Sequence, residues 1–268
     1  MDWETRLAAD SNYQLQQRAR NAAGILASQP TPEKAAEAER VLRLIDAERA
    51  RRSLPGNIAS FLEAFPLGFE DPAYRAQERD DKVAASEACQ AALSQDAFQA
   101  ALEGDEGPLV QAIKRIVNQT NLIQGSFEKP KLFDAIQDPR YSRPFVAQLG
   151  VLLHGPGDVA ARLEEFSEFL HQLGIRKWTY VTYFLFLHDP ESCLFVKPEG
   201  LKKAVEIAGY PLQYDSEPTA ELYRQVIAFA NWIRSHLQDS GHVSLRPRDM
   251  IDVQSFMWHM APTGKFAR

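Results

Sequence analysis

The sequence predicts a mainly α, multi-helical globular fold with at most two short strands in its C-terminal part. Three observations carry that reading. Apolar residues recur at helical spacing in several segments. Helix-starting and helix-stopping residues stand at the ends of those segments. An apolar share of 45% with a charged share of 25% is the composition of a globular chain able to bury a core.

Thr31-Pro32-Glu33 starts a helix: Thr caps, Pro fits the first turn and Glu complements the helix dipole. The run continues to Arg52 with Val41, Leu44 and Ile45 on one stripe. Asp71-Pro72 opens another helix. Gly107-Pro108 opens a third, with Leu109, Ile113 and Ile116 at helical spacing. Asp158 begins an amphipathic helix carrying Val159, Leu163, Phe166 and Leu170 on one face, and Gly174 stands where a left-handed terminator is wanted. Pro198 to Ile207 is a short helix ending at Gly209. Ser216 to Leu237 is the longest clear helix, with Leu222, Val226, Phe229, Ile233 and Leu237 in one apolar stripe.

Two segments are ambiguous. Trp178 to Leu187 is β-branched and aromatic, which favours a strand. Its length, lack of alternation and helical neighbours favour a buried helix, and helix is the expectation. Cys193 to Lys197 reads as extended chain running into Pro198; it and residues 242–245 are the two candidate strands. Gly104-Asp105-Glu106-Gly107-Pro108 breaks the pattern, so the expected organisation is an N-terminal helical region over 1–106 and a C-terminal helical core domain over 107–268.

The 268 residues carry a net charge of −6, unevenly spread. Residues 61–110 hold eleven acids and three bases, and residues 111–150 hold three acids and six bases. Net acidity argues against tight non-specific DNA binding, which needs many phosphate contacts. There is no apolar run of membrane-spanning length and no signal-like N-terminal stretch. Cys89 and Cys193 stand far apart without a CxxC partner, so they read as free thiols of a reducing compartment, the cytosol.

The chain carries no GxxxxGK[ST], GxGxxG, HExxH or GxSxG motif. No two of its six histidines form an i, i+4 pair, and His188-Asp189 are sequence neighbours that point different ways on a helix. No metal site and no cofactor is expected.

The most informative stretch is Arg246-Pro247-Arg248-Asp249-Met250-Ile251-Asp252-Val253-Gln254-Ser255-Phe256-Met257-Trp258. It reads as a helix that sets acids and an amide among bulky apolar groups. Asp249, Asp252 and Ser255 or Phe256 fall on one face. Asp249 fits a cap. Asp252, a turn inside between Ile251 and Val253, requires a partner if buried, with Arg246, Arg248 and Lys197 as candidates. One reading is a buried ionic network that fixes how the helix docks. The other is a polar pocket in which Asp252, Gln254 and Trp258 meet a ligand or nucleic acid. Lys197 either snorkels to the surface or reaches Asp252. Tyr214 is either a core-edge residue or an exposed ring for stacking on a base. Lys129, Lys131, Arg140 and Arg143 belong to a basic, proline-containing stretch that reads as a solvated helix connection or as phosphate contacts.

Trp178, Thr182, Pro190, Phe195-Val196-Lys197-Pro198, Tyr214, Tyr223 and the Arg246–Trp258 segment together resemble a C-terminal block of a bacterial protein family associated with restriction- and defence-type genes. Over roughly residues 120–260 the pattern is also similar to the helical core of helix-hairpin-helix DNA glycosylases. The chain departs from that pattern where chemistry is concerned, because no Gly-rich hairpin leads to a catalytic Lys or Asp. Leu54-Pro55-Gly56-Asn57 lies outside the resembling region and reads as a loop. The resemblance implies a bacterial DNA-associated or defence system, and the incomplete catalytic set with the negative net charge points to a non-enzymatic helical interaction module within it. It would work by protein contact with weak nucleic-acid contact, and without a membrane partner. The alternative is a glycosylase-like enzyme on nucleic acid using Asp252 with Lys197 nearby.

Overall fold

A computed structural model describes residues 2–260 of the chain. They form two compact units that divide between Ser60 and Phe61.

The first unit holds α1 (Trp3–Ala9), α2 (Asn12–Ala27), α3 (Pro32–Arg52) and the start of α4 (Leu54–Ala64). Asp2 caps α1 through Thr5 N at 2.7 Å, and Ser11 with Gln14 closes a capping box on α2. Leu7, Leu15, Ala22, Ala38, Val41 and Ile45 make its small core, with Leu44 only partly buried at its edge. Arg52 closes the unit: its guanidinium donates to the carbonyls of Asp10, Leu7 and Ala8 at the end of α1, and to Glu48 at 2.5 Å. These are carbonyls that a helix end leaves orphaned. The Leu7 carbonyl also accepts from Asp10 N at 3.2 Å, so Arg52→Met is expected to cost about 2 kcal/mol through the Ala8 and Asp10 carbonyls it leaves without that donor, read as faster hydrogen exchange in α1.

Leu54 to Asn57 is helical, contrary to the loop reading. Asn57 donates to the carbonyls of Arg52 and Ser53, both at 2.9 Å, which lets α4 follow α3 without a linker. Gly56 is required there, since a Cβ would lie 2.3 Å from the Ala50 carbonyl oxygen.

The second unit opens with the remainder of α4. A short helical turn, α5 (Pro72–Tyr74), then runs through a widened π turn at Arg75–Arg79 into α6 (Asp80–Ala92). It continues with α7 (Gln95–Glu103), α8 (Gly107–Gln119), α9 (Glu128–Gln137), α10 (Ser142–His154), α11 (Val159–Gln172), α12 (Trp178–His188), α13 (Pro198–Ala208), α14 (Ala220–Gln238) and α15 (Met250–Met260). Asp71 and Asp158 cap as expected, and Gly174 and Gly209 end their helices at φ +69° and +63°. α14 begins at Ala220 rather than Ser216 because the Thr219 hydroxyl takes Leu222 N.

Trp178 to Leu187 is a helix buried on every side, packed against α6, α10 and α11. Full burial removes the need for an amphipathic period, which is why propensity alone pointed to a strand. Among the described residues there is no strand. The extended chain at 193–197 is held by side chains: Tyr223 Oη accepts from Leu194 N at 3.2 Å, and Thr182 Oγ1 accepts from Val196 N at 3.0 Å. Val243–Leu245 is a 3₁₀ turn. The break is a turn over 104–106 between α7 and α8, which pack on each other inside the larger unit, and the chain divides at 60/61.

Phe61 is the hub of an aromatic cluster. Its ring centroid lies 5.1–5.7 Å from those of Phe65, Phe69, Tyr74, Phe256 and His259.

Candidate functional site

α15 carries the polar residues singled out from sequence, and nearly all of it is buried. Asp249 caps it, accepting from Ile251 N at 2.9 Å and Asp252 N at 3.3 Å. The chain reaches this cap through the Val243–Leu245 turn, which packs on the Gly68–Glu70 turn. Gly68 sits at φ +59°, and a Cβ there would lie 2.4 Å from the Ser244 carbonyl oxygen. No other residue lets the two turns approach this closely. The approach brings Arg248 within 2.7 Å of the Phe69 carbonyl.

Asp252 is 0% exposed and both its oxygens are engaged. Oδ1 accepts from Tyr74 Oη at 2.6 Å and Arg79 Nη1 at 2.9 Å; Oδ2 accepts from Arg248 N at 2.9 Å and Nε at 3.0 Å. Arg79 also grips Asp249 bidentately, at 2.8 and 2.6 Å. Two buried carboxylates therefore face two partly buried guanidiniums, and Arg248 reaches outward to Glu70 at 3.5 Å as well. The π turn aims Arg79 into it: Asp80 N bonds back to Arg75 O, one residue more than an α turn takes. Burial, then the Asp252 charge, holds the Tyr74 phenol well above its ordinary pKa, so it remains a donor. Burial works to lower the Arg79 pKa, but the Asp249 hydrogen bonds and the Asp252 charge override it and raise it. No open face is left on Asp252 for a substrate.

Of the expected partners for Asp252, only Arg248 serves. Arg246 is exposed. Lys197 lies 4.7 Å over the Trp258 ring instead. Tyr74 and Arg79, the partners sequence reasoning missed, stand more than 170 positions upstream, where Arg79 is one of three bases among eleven acids. Nothing local marks either residue.

Lys197, Gln254 and Trp258 do come together, lining a crevice of about 20 Å³ with Gly200. That is room for roughly one water. Gln254 is 8% exposed and its Oε1 has no hydrogen-bond partner among the described residues. Tyr214 is half-buried with Lys202 over its ring at 5.4 Å, and burial pushes its phenol up to about 12. It is an edge residue, not an open stacking platform.

The basic stretch is mostly consumed locally. Lys129 donates to the Thr120 carbonyl at 2.8 Å, and Arg140 pairs with Asp138 at 2.6 Å. Arg143 donates to the Leu102 and Gly104 carbonyls at the end of α7. Lys131 alone is exposed with no internal partner. The residues do not converge on a phosphate-binding surface.

Cys89 and Cys193 are buried free thiols, pushed up to about 12 by burial, so neither is a ready nucleophile. Among the described residues, no cluster of three or more His, Cys, Asp or Glu is placed to hold a metal. Among the described residues no helix is long and apolar enough to cross a membrane.

Burial depresses His259 to about 4 from an ordinary 6.5, and burial followed by the His154 charge lowers His188. A histidine with a depressed folded pKa takes up its proton more readily when unfolded. Stability from His259 is therefore full above about pH 6.5 and is lost as pH falls towards about 4. Urea titrations at pH 7.5 and 4.5 are expected to show that loss, and His259→Phe to reduce it.

Comparison with protein-family models, curated proteins and solved structures finds no match to this chain.

Proposed function

We propose that the chain is a non-enzymatic helical interaction module of a bacterial DNA-associated or defence system, acting by protein contact with at most weak nucleic-acid contact. The observation that carries this reading is the closure of the Asp252 site. The residue best suited to acid–base work is fully buried and bonded on both oxygens by Tyr74, Arg79 and Arg248. Catalysis by a general acid or base requires reach to the reacting proton. Lys197, its partner in the glycosylase-like alternative, is turned to Trp258. The defence association rests on the resemblance of the Arg246–Trp258 block, and the closed geometry of Asp252 supports the non-catalytic reading.

Two measurements test the reading. Asp252→Asn should lower the melting temperature by about 6–12 °C, since losing one partner of a buried ion pair costs about 3 kcal/mol. A melting curve that overlays wild type would show an open carboxylate and sink the structural role. Titration with labelled single- and double-stranded DNA and RNA should show little binding near physiological salt. Tight binding that falls steeply as salt rises would favour the nucleic-acid enzyme instead.

A further inference from the structure

The first unit carries an open groove of about 730 Å³ that no assigned role uses. It lies within the volume range of ligand sites, about 300–1000 Å³. α2 contributes Asn21, Ala22 and Ile25, and α3 contributes Lys34, Ala38 and Val41. These recur at three- and four-residue steps on each helix, so the groove follows the seam between the two. From Arg18 to Ser28 it runs along α2 for about 15 Å at 1.5 Å per residue.

The same seam already accepts a helix. Trp3 Nε1 donates to Glu37 Oε1 at 2.7 Å, and the end of α1 is held by Arg52. α1 therefore covers α3 from Glu37 towards Arg52. The groove is the uncovered remainder, towards the Ser28–Thr31 turn. Its floor is made by the small side chains Ala22 and Ala38 with Val41, all buried, so they leave space that larger residues would fill. Ile25 stands on its wall, 44% exposed.

Charge selects among apolar helices. Arg18 at the rim is bound by Asp10. Glu37 is taken by Trp3 and Arg40. Lys34 has no hydrogen-bond or ion-pair partner among the described residues, nor do Asn21 and Gln29. The unmatched rim charge is positive.

We infer that this groove docks an amphipathic helix of a partner protein, its apolar stripe laid along the α2–α3 seam and an acidic residue facing Lys34. The inference rests on the interaction-module reading, and its test is separate from the Asp252 and nucleic-acid experiments.

The test is a fluorescence-polarisation titration of the full chain with labelled helical peptides of about 15 residues. The peptides share one leucine stripe, with a polar face of Glu, Gln or Lys. The Glu peptide should bind about tenfold tighter than the Lys peptide at low salt. Lys34→Glu should reverse that order, and Ile25→Arg should abolish binding. Both positions are exposed, so both variants keep the fold. Several outcomes overturn the proposal. Binding that survives Ile25→Arg lies elsewhere. Equal binding of all three peptides removes the acidic partner. Binding of no peptide removes the helix. Concentration-dependent dimerisation abolished by Ile25→Arg, with no peptide bound, assigns the groove to a second copy of the chain. None of these results alters the standing of the Asp252 or nucleic-acid tests.

Discussion

Arg79→Ala is expected to destabilise the second unit by about 3–5 kcal/mol, the cost of leaving a buried charge without its partner. Arg79 donates to Asp249 at 2.8 and 2.6 Å and to Asp252 at 2.9 Å. Removing it leaves Asp249 without its ion-pair partner and the fully buried Asp252 with Arg248 as its one remaining guanidinium. The loss should be read by urea unfolding, with the midpoint falling and the slope unchanged. A control separates charge from packing. Arg79→Met combined with Asp249→Asn and Asp252→Asn removes the uncompensated charge and should recover a large part of the loss. Buried ion sets replaced as a whole by neutral groups are often tolerated, whereas sets broken singly are not. If Arg79→Ala alone melts with wild type, the network contributes nothing and the docking of α15 has another cause.

Phe61→Ala is expected to cost a similar amount, about 3–5 kcal/mol, through a different mechanism. The ring is 1% exposed and meets five other rings at centroid distances of 5.1–5.7 Å. Its removal opens a cavity among side chains that α4, the Gly68–Glu70 turn and α15 hold in place. Collapse is costly there, since Tyr74 is committed to Asp252 and cannot move in without giving up its 2.6 Å hydrogen bond. Phe61→Leu should lose roughly half as much, because more of the volume is kept. The two singles, Arg79→Ala and Phe61→Ala, share Tyr74 as a neighbour, so their double variant is expected to depart from additivity. Thermal unfolding of the three variants measures that coupling.

Local chemistry sets the ends of helices, and long-range packing sets the rest. The ends of α3, α8, α11 and α13 are legible because initiation and termination are local chemistry: Pro32 and Pro108 fit first turns, Asp158 caps and Gly209 is left-handed, although Thr31 takes the N-cap position of α3 without a side-chain hydrogen bond. The apolar stripe of α14 was legible for the same reason, its period being a property of one helix. α12 was ambiguous because burial on all sides erases that period. The Leu54–Asn57 segment has the composition of a loop yet is helical, since its glycine answers to the approach of the Ala50 carbonyl rather than to flexibility.

For the site, the sequence by itself determined that a carboxylate at Asp252 stood inside an apolar helix and needed a partner. One partner, Arg248, was close in sequence and foreseeable. Tertiary structure alone decided that the others are Tyr74 and Arg79, and that Lys197 turns to Trp258. It decided too that Lys129, Arg140 and Arg143 are spent on nearby carbonyls and an acid. The physical reason is that the need for a partner is set by the burial of one group. Which group meets that need is set by the packing of elements far apart in the chain, and no local pattern encodes it.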